Sequence, residues 1–187
     1  MKFIISSLIL SILLISCSEE PKINVEDVIY ACVLERSTDD GVDLAKLLDE
    51  FEAHLIKEKV LTSSEGKSYV AIYEFAIENN KLPSTITNPA QEKLWRFSKP
   101  DSPLNSCLGD TTLFNAKDGQ DSKLLLLAEQ YESLYLSGNI SVRTVSEATL
   151  AILTADDFEL PLYRANALIS LAQSMELISP LDMKEPK

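Results

Sequence analysis

One histidine, three cysteines and five glycines in 187 residues leave little material for most active sites. Nucleophilic catalysis needs an activated Ser or Cys beside a base. With His54 as the sole imidazole and no Gly-x-Ser-x-Gly stretch, that arrangement has no support. Helical-wheel geometry puts His54 about 75° from the centre of its segment's apolar stripe, a boundary position. Zinc wants several His or Cys ligands, which the chain does not supply. Phosphate-cradling loops need Gly-rich turns, and none is present. Asp39, Asp40 and Asp43 surround Gly41. An EF-hand register with Gly41 sixth, however, would put Arg36 first, where Asp belongs. Carboxylates are the one catalytic resource in supply, and a pair of them acting on a glycan fits the composition. Nothing singles out two from the 29 Asp and Glu. No catalytic, metal-binding or cofactor-binding residue is assigned, no cofactor is expected, and the chain is expected not to be an enzyme.

Positive charge is also scarce: 17 Lys and Arg against 29 Asp and Glu, a net charge of −12. Phosphate backbones and anionic bilayers attract clustered Lys and Arg, so nucleic acid is excluded as a partner. A basic protein or divalent cations remain compatible. The length suits one domain with an ordinary core.

Long apolar runs are absent except at the start, where Lys2 precedes an apolar stretch from Phe3 to Ile15. That stretch is too short to span a bilayer comfortably. It leads into Leu14-Ile15-Ser16-Cys17. Basic residue, apolar run and terminal Cys together resemble the signal sequence and lipobox of bacterial lipoproteins. The resemblance covers residues 1–17 and implies cleavage before Cys17 and acylation there, a diacylglyceryl group on the sulfur and a further chain on the amino group. Each buried methylene adds about 0.8 kcal/mol, so two or three acyl chains hold a protein firmly on a membrane. Ser18, in place of Asp, resembles outer-membrane rather than inner-membrane lipoproteins. Glu19 and Glu20 resemble the surface-export signal of Bacteroidetes lipoproteins; they also suit a plain solvated linker, so the periplasmic face and the cell surface both remain open. Residues 1–16 are expected to be a signal peptide, 17–24 a lipidated tether, 25–178 a helical domain and 179–187 a polar tail.

With Cys17 lipidated, Cys32 and Cys107 remain. Outside the inner membrane two thiols invite a disulfide. The alternative is two separate buried thiols, since Cys is among the most buried residue types.

From Asn24 onward the apolar spacing is helical. Asn24 caps a helix to about Ser37, with Val25, Val28, Ile29, Cys32 and Val33 on one side. A second helix runs from Asp43 to Leu61, its stripe made by Leu44, Leu47, Leu48, Phe51 and Leu55. Residues 68–79 fit a helix through Tyr69, Ile72, Tyr73 and Ala76, or a strand through Tyr69, Ala71, Tyr73, Phe75 and Ile77. With no partner strand in sight, the helix is preferred. Asn88-Pro89-Ala90-Gln91 opens a further helix, with Gln91 at the position that closes a capping box. Pro100 and Pro103 stop it, and residues 99–120 look irregular. Asp121 caps a helix with a wide apolar face (Leu124, Leu125, Leu127, Ala128, Tyr131, Leu134, Tyr135), and Gly138 ends it. Thr144 and Glu147 suggest a capping box for the next helix, on Val145, Ala148, Ala151 and Ile152. Pro161 starts a last helix through Ile178, apolar on more than one side. Asp156, Asp157 and Glu159 read as charges favourable to its N-terminus.

These elements predict an all-α domain, a single irregular bundle of six or seven helices. The functional expectation is a non-enzymatic, membrane-anchored lipoprotein of the envelope that binds another protein. One form of it is an immunity or inhibitor lipoprotein that neutralises a basic effector. A carboxylate enzyme acting on glycans would show a deep cleft lined by two acids with perturbed pKa values, and a convex, pocketless bundle would argue against it. An assembly subunit would show an exposed apolar patch on 43–61 or 121–137.

Overall fold

The computed structural model describes residues 24–86, 88–99, 102–109, 122–174 and 177–178. They form an all-α bundle with eight α-helices among the described residues. These are α1 (Val25–Asp39), α2 (Leu44–Lys57), α3 (Gly66–Asn79), α4 (Pro89–Leu94), α5 (Pro103–Leu108), α6 (Lys123–Leu136), α7 (Val142–Ile152) and α8 (Pro161–Ser174). Short 3-10 turns cover Trp95–Ser98 and Asp157–Glu159. The expected signal peptide, the proposed lipidation site Cys17, the tether up to residue 23 and the 179–187 tail lie outside the described residues, while Asn24 belongs to the start of α1 as its cap.

Each start has a local cause. Asn24, Asp43, Asn88, Ser102, Ser122 and Ser141 each accept a backbone N–H of the first turn through a side-chain oxygen, satisfying donors that no helical carbonyl can reach. Three prolines stand first in their helices, at α4, α5 and α8, where the missing N–H costs nothing. The eighth helix, α5, arises this way. Pro103 was expected to stop a helix, but with Ser102 as its cap it starts one. At the other end of α3, Asn80 adopts a left-handed conformation (φ 50°) and stops the helix.

α8 runs through the middle, against α1, α2, α4 and the first 3-10 turn. Leu162, Tyr163, Ala165, Ala167, Leu168, Ile169, Leu171 and Ala172 are all buried, so it is covered on nearly every side. α2 contributes Leu44, Leu47, Leu48, Phe51 and Leu55, all buried, each stabilising by roughly 1.5–3 kcal/mol. α3 lies against α7, and α7 against α6. On α3 the buried residues Tyr69, Ile72 and Ala76 follow the helical period. Phe158 joins the two layers, its ring stacked 5.7 Å from both Tyr69 and Tyr73.

Four details depart from the sequence expectations. α6 takes Ser122 rather than Asp121 as its cap. α7 starts at Val142 because Ser141 and Thr144 form the capping box reciprocally. Thr144 is thus the third helical residue, which leaves Glu147 in mid-helix. The face that α7 buries is small and polar, Ser146 and Thr149; their hydroxyls donate back to Val142 O (2.7 Å) and Val145 O (2.8 Å), which satisfies them inside the helix–helix contact. α8 ends at Ser174, and Leu177–Ile178 pair in parallel with Thr85–Ile86. Gln91 closes no capping box. Its Nε2 donates to Ala172 O at 3.3 Å and so satisfies a carbonyl at the far end of α8.

Cys32 and Cys107 are disulfide-bonded, with Cα atoms 6.1 Å apart. The bond ties α5 to α1, against which it packs.

Several acids expected to serve helix termini make tertiary contacts instead. Glu26 Oε1 accepts from Tyr163 Oη and Ser122 Oγ, each at 2.8 Å, joining α1, α6 and α8. Burial, together with that carboxylate, pushes the Tyr163 phenol well above its ordinary pKa. Burial and the hydrogen bond to Glu52 do the same to Tyr69. Asp157 accepts from Lys123 Nζ (2.7 Å and 2.6 Å) and from the amide and hydroxyl of Thr154 (2.7 Å and 2.8 Å). Burial alone would raise the Asp157 pKa, but these donors outweigh it and hold the carboxyl below its usual value.

A carboxyl with a lowered folded-state pKa stabilises the fold fully above its unfolded pKa, and that contribution is lost as pH falls through the folded pKa. Asp157→Asn is therefore expected to cost about 2 kcal/mol at pH 7. The gap between wild type and variant should shrink in acid, below about pH 4. Urea unfolding midpoints at pH 7 and at pH 3 check this; an equal gap at both would refute the role of the charge.

Candidate functional site

Two surface features stand apart from the packed interior. The first is the outer flank of α6. Its opening run Lys123-Leu124-Leu125-Leu126-Leu127 places apolar side chains on both sides of the helix. Leu124 and Leu127 are buried. Tyr131 and Leu134 are half-buried toward the bundle, and Tyr131 Oη sits 2.8 Å from Thr149 Oγ1 of α7. The α6 contact is chiefly with α7, so one flank is left over. Leu126 is 50% exposed, Tyr135 73%, Leu136 75%, and Ile140 in the α6–α7 turn 57%. Gly138 makes that turn at φ +67°, a conformation that favours glycine. Tyr135, Leu136 and Ile140, gathered at the turn end of the hairpin, form the kind of patch monomers seldom expose without a use, while Leu126 stands near the other end of α6. By contrast, the stripe of α2, the other segment considered for such a patch, is wholly buried.

The second feature is an open groove of about 660 Å³ between the α1–α2 loop with the start of α2 on one side and α4, the 3-10 turn and the start of α5 on the other. Lys93, Arg96 and Lys99 line it at three-residue spacing. They run from the end of α4 through the 3-10 turn, where residues three apart fall on one face. Val42, Leu47, Phe97 and Pro103 give the groove an apolar lining. Asp40, Asp43, Lys46 and Glu50 complete it. The Asp43 carboxylate caps α2 through Lys46 N at 3.0 Å, and Glu50 lies 3.8 Å from Lys46 Nζ. Lys99 Nζ sits 5.1 Å from the centroid of the Trp95 ring, a cation–π distance. Among the described residues neither Lys93 nor Arg96 is in an ion pair.

Neither feature brings a hydroxyl or thiol together with His54, and the groove's carboxylates are Asp40, Asp43 and Glu50. Among the described residues the groove's one hydroxyl is that of Ser102, which is buried and caps α5 through Asn105 N. His54 lies on α2, half-buried, and does not line the groove. Among the described residues no group of three or more His, Cys, Asp or Glu side chains is placed to hold a metal ion. Among them, too, no helix is long and apolar enough to cross a membrane. Cys32 and Cys107 come together, but as a staple between helices rather than at either feature. The row Lys93, Arg96, Lys99 was missed in the sequence, although its spacing was visible there.

No protein-family model matches the chain, and no curated protein or solved structure matches it either.

Proposed function

We propose that the chain is a non-enzymatic, lipid-anchored envelope module whose helical domain binds another protein through the outer flank of α6. The observation that carries this reading is the exposure of Tyr135, Leu136 and Ile140 together at the turn end of the α6–α7 hairpin. Apolar and aromatic side chains that project together into water are the kind that become energetic anchors once a partner covers them. The lipobox at residues 14–17 supports the anchor, and the tether leaves the domain close to the membrane. A protein already confined to a surface needs only a modest docking patch, because tethering raises the effective concentration of a partner on the same membrane.

The test is a photo-crosslinking residue placed at Leu136 in the lipidated protein, with Lys57 on α2 as the control position, followed by mass spectrometry. Position 136 is expected to capture one reproducible envelope protein and position 57 none. Leu136→Asp should abolish the capture while shifting stability by no more than about 0.5 kcal/mol, because the side chain is solvent-exposed. No capture from position 136, in a preparation where known lipoprotein complexes survive, would overturn the reading.

A further inference from the structure

We infer that the groove beside α4 is a second, separate binding site, for a short acidic peptide segment carrying one apolar side chain. The argument begins with charge. The chain is strongly acidic, with a net charge of −12, yet it sets Lys93, Arg96 and Lys99 side by side along one wall. Lys93 and Arg96 are about 5–6 Å apart along the helix axis, from the rise per residue, and Lys99 follows as the extended residue that ends the 3-10 turn. Cations so close repel one another, and no acid among the described residues pairs with Lys93 or Arg96. An anionic ligand would relieve that repulsion.

The facing acids do not fully cancel the row. Asp40, Asp43 and Glu50 lie on the opposite wall, where Asp43 also caps α2 and Glu50 lies beside Lys46, so the lining carries four cations (Lys46, Lys93, Arg96, Lys99) against three carboxylates. The apolar lining then selects among anions. Phe97, Leu47, Val42 and Pro103 offer contact to a hydrocarbon side chain, which a bare polyphosphate cannot use. A peptide with carboxylates on either side of one aromatic or aliphatic residue uses both the wall and the floor. The volume, about 660 Å³, lies within the range of small-ligand pockets. This site shares no residue with the α6 flank, so it stands or falls independently of the protein-binding role proposed there.

The molecule carries its own reporter. Trp95 is the only tryptophan of the chain, is 49% exposed, and has Lys99 Nζ over its ring. A carboxylate that draws Lys99 toward the groove changes the surroundings of that indole. The experiment titrates the folded, disulfide-bonded domain with the synthetic peptide Glu-Glu-Phe-Glu-Glu and follows Trp95 emission at low salt. Saturable binding below about 1 mM is expected, weakening as salt screens the pairs. The double substitution Lys93→Glu with Arg96→Glu should weaken it about tenfold or more. Glu-Glu-Ala-Glu-Glu should also bind about tenfold more weakly, for want of the apolar contact. Lys57→Glu with Lys81→Glu changes net charge equally outside the groove and should leave affinity within about twofold. No saturable change up to about 1 mM peptide would overturn the inference, as would equal loss in both double variants. Tighter binding of inositol hexakisphosphate, with the alanine peptide matching the phenylalanine peptide, would overturn it in favour of a general anion site.

Discussion

Replacing Cys32 and Cys107 together with alanine is expected to lower the unfolding free energy by about 4–5 kcal/mol. The bond closes a loop with a sequence separation of 75, and the chain-entropy model gives that magnitude for a loop of such length. The native-state contribution adds to it, because α5 is only six residues long, well below the length at which a helix persists alone. Its apolar anchors are Leu104 and Cys107, and the bond removes the freedom α5 would otherwise have to leave α1. In a domain of this size the loss corresponds to roughly 10–15 °C in melting temperature. Thermal unfolding with and without reductant, read beside the intact mass after alkylation, checks both parts. Native protein that takes up two alkyl groups without prior reduction would show that the staple is absent in solution, and an unchanged melting temperature on reduction would show that it carries little weight. Reduction should also loosen the wall of the groove at Ser102 and Pro103.

Gly66→Ala is the second large effect, about 3 kcal/mol or more. Gly66 is the first residue of α3. A Cβ there would lie 1.8 Å from the carbonyl oxygen of Ala155 and 2.8 Å from its carbon. Backbone cannot turn aside as a long side chain can, so either α3 or the α7–α8 connection must shift. The Gly66 amide also donates to Glu159 Oε1 at 2.6 Å, and Glu159 in turn holds Arg164 at 3.1 Å. The same displacement that relieves the clash therefore pulls on that ion pair. Gly138→Ala is the natural comparison. Nothing lies within 4 Å of a Cβ placed there, and only its φ of +67° stands against it, so its cost should be about 1 kcal/mol. Equal destabilisation of the two variants in urea unfolding would refute the close approach at Ala155.

Gly66 also shows where sequence reading stops. It falls in a stretch that reads as a turn, and the reason for glycine there is a carbonyl 89 positions later, which no local pattern announces. The all-α class was legible because the stripes of α2 and α8 repeat at helical spacing for three turns or more. Residues 68–79 resolved as helix for the same reason, with Tyr69, Ile72 and Ala76 buried and Ala71 and Phe75 outside. What failed was local chemistry with two meanings. Pro103 suits a stop or a start, and only Ser102 as cap decides between them. Ser141 and Thr144 are both good caps, and the register was set by their mutual hydrogen bonds. Asp157, Glu159 and Glu26 carry charges that a helix N-terminus would welcome, but the partners that use them lie on other helices. Of the two surface features, the α6 segment was legible as a candidate because its apolar residues exceed what one face can bury. The groove was not, since its cation row becomes a wall only when the α1–α2 loop folds opposite.

The contact at Glu26 has a consequence for the order in which the molecule can be completed. Its carboxylate accepts from Ser122 and from Tyr163, 137 positions away, and the buried residues Ile29 and Val33 belong to a helix that packs on α8. A chain elongates from its N-terminus, so α1 precedes the other described helices and completes its contacts only once α8 is made. Until α8 has emerged, α1 has only the cover that α2 and α5 give it, and Glu26 lacks the Tyr163 hydroxyl. The fold thus closes on its own beginning, and a chain stopped before Pro161 retains most of its helical segments without the element that locks the first of them in place.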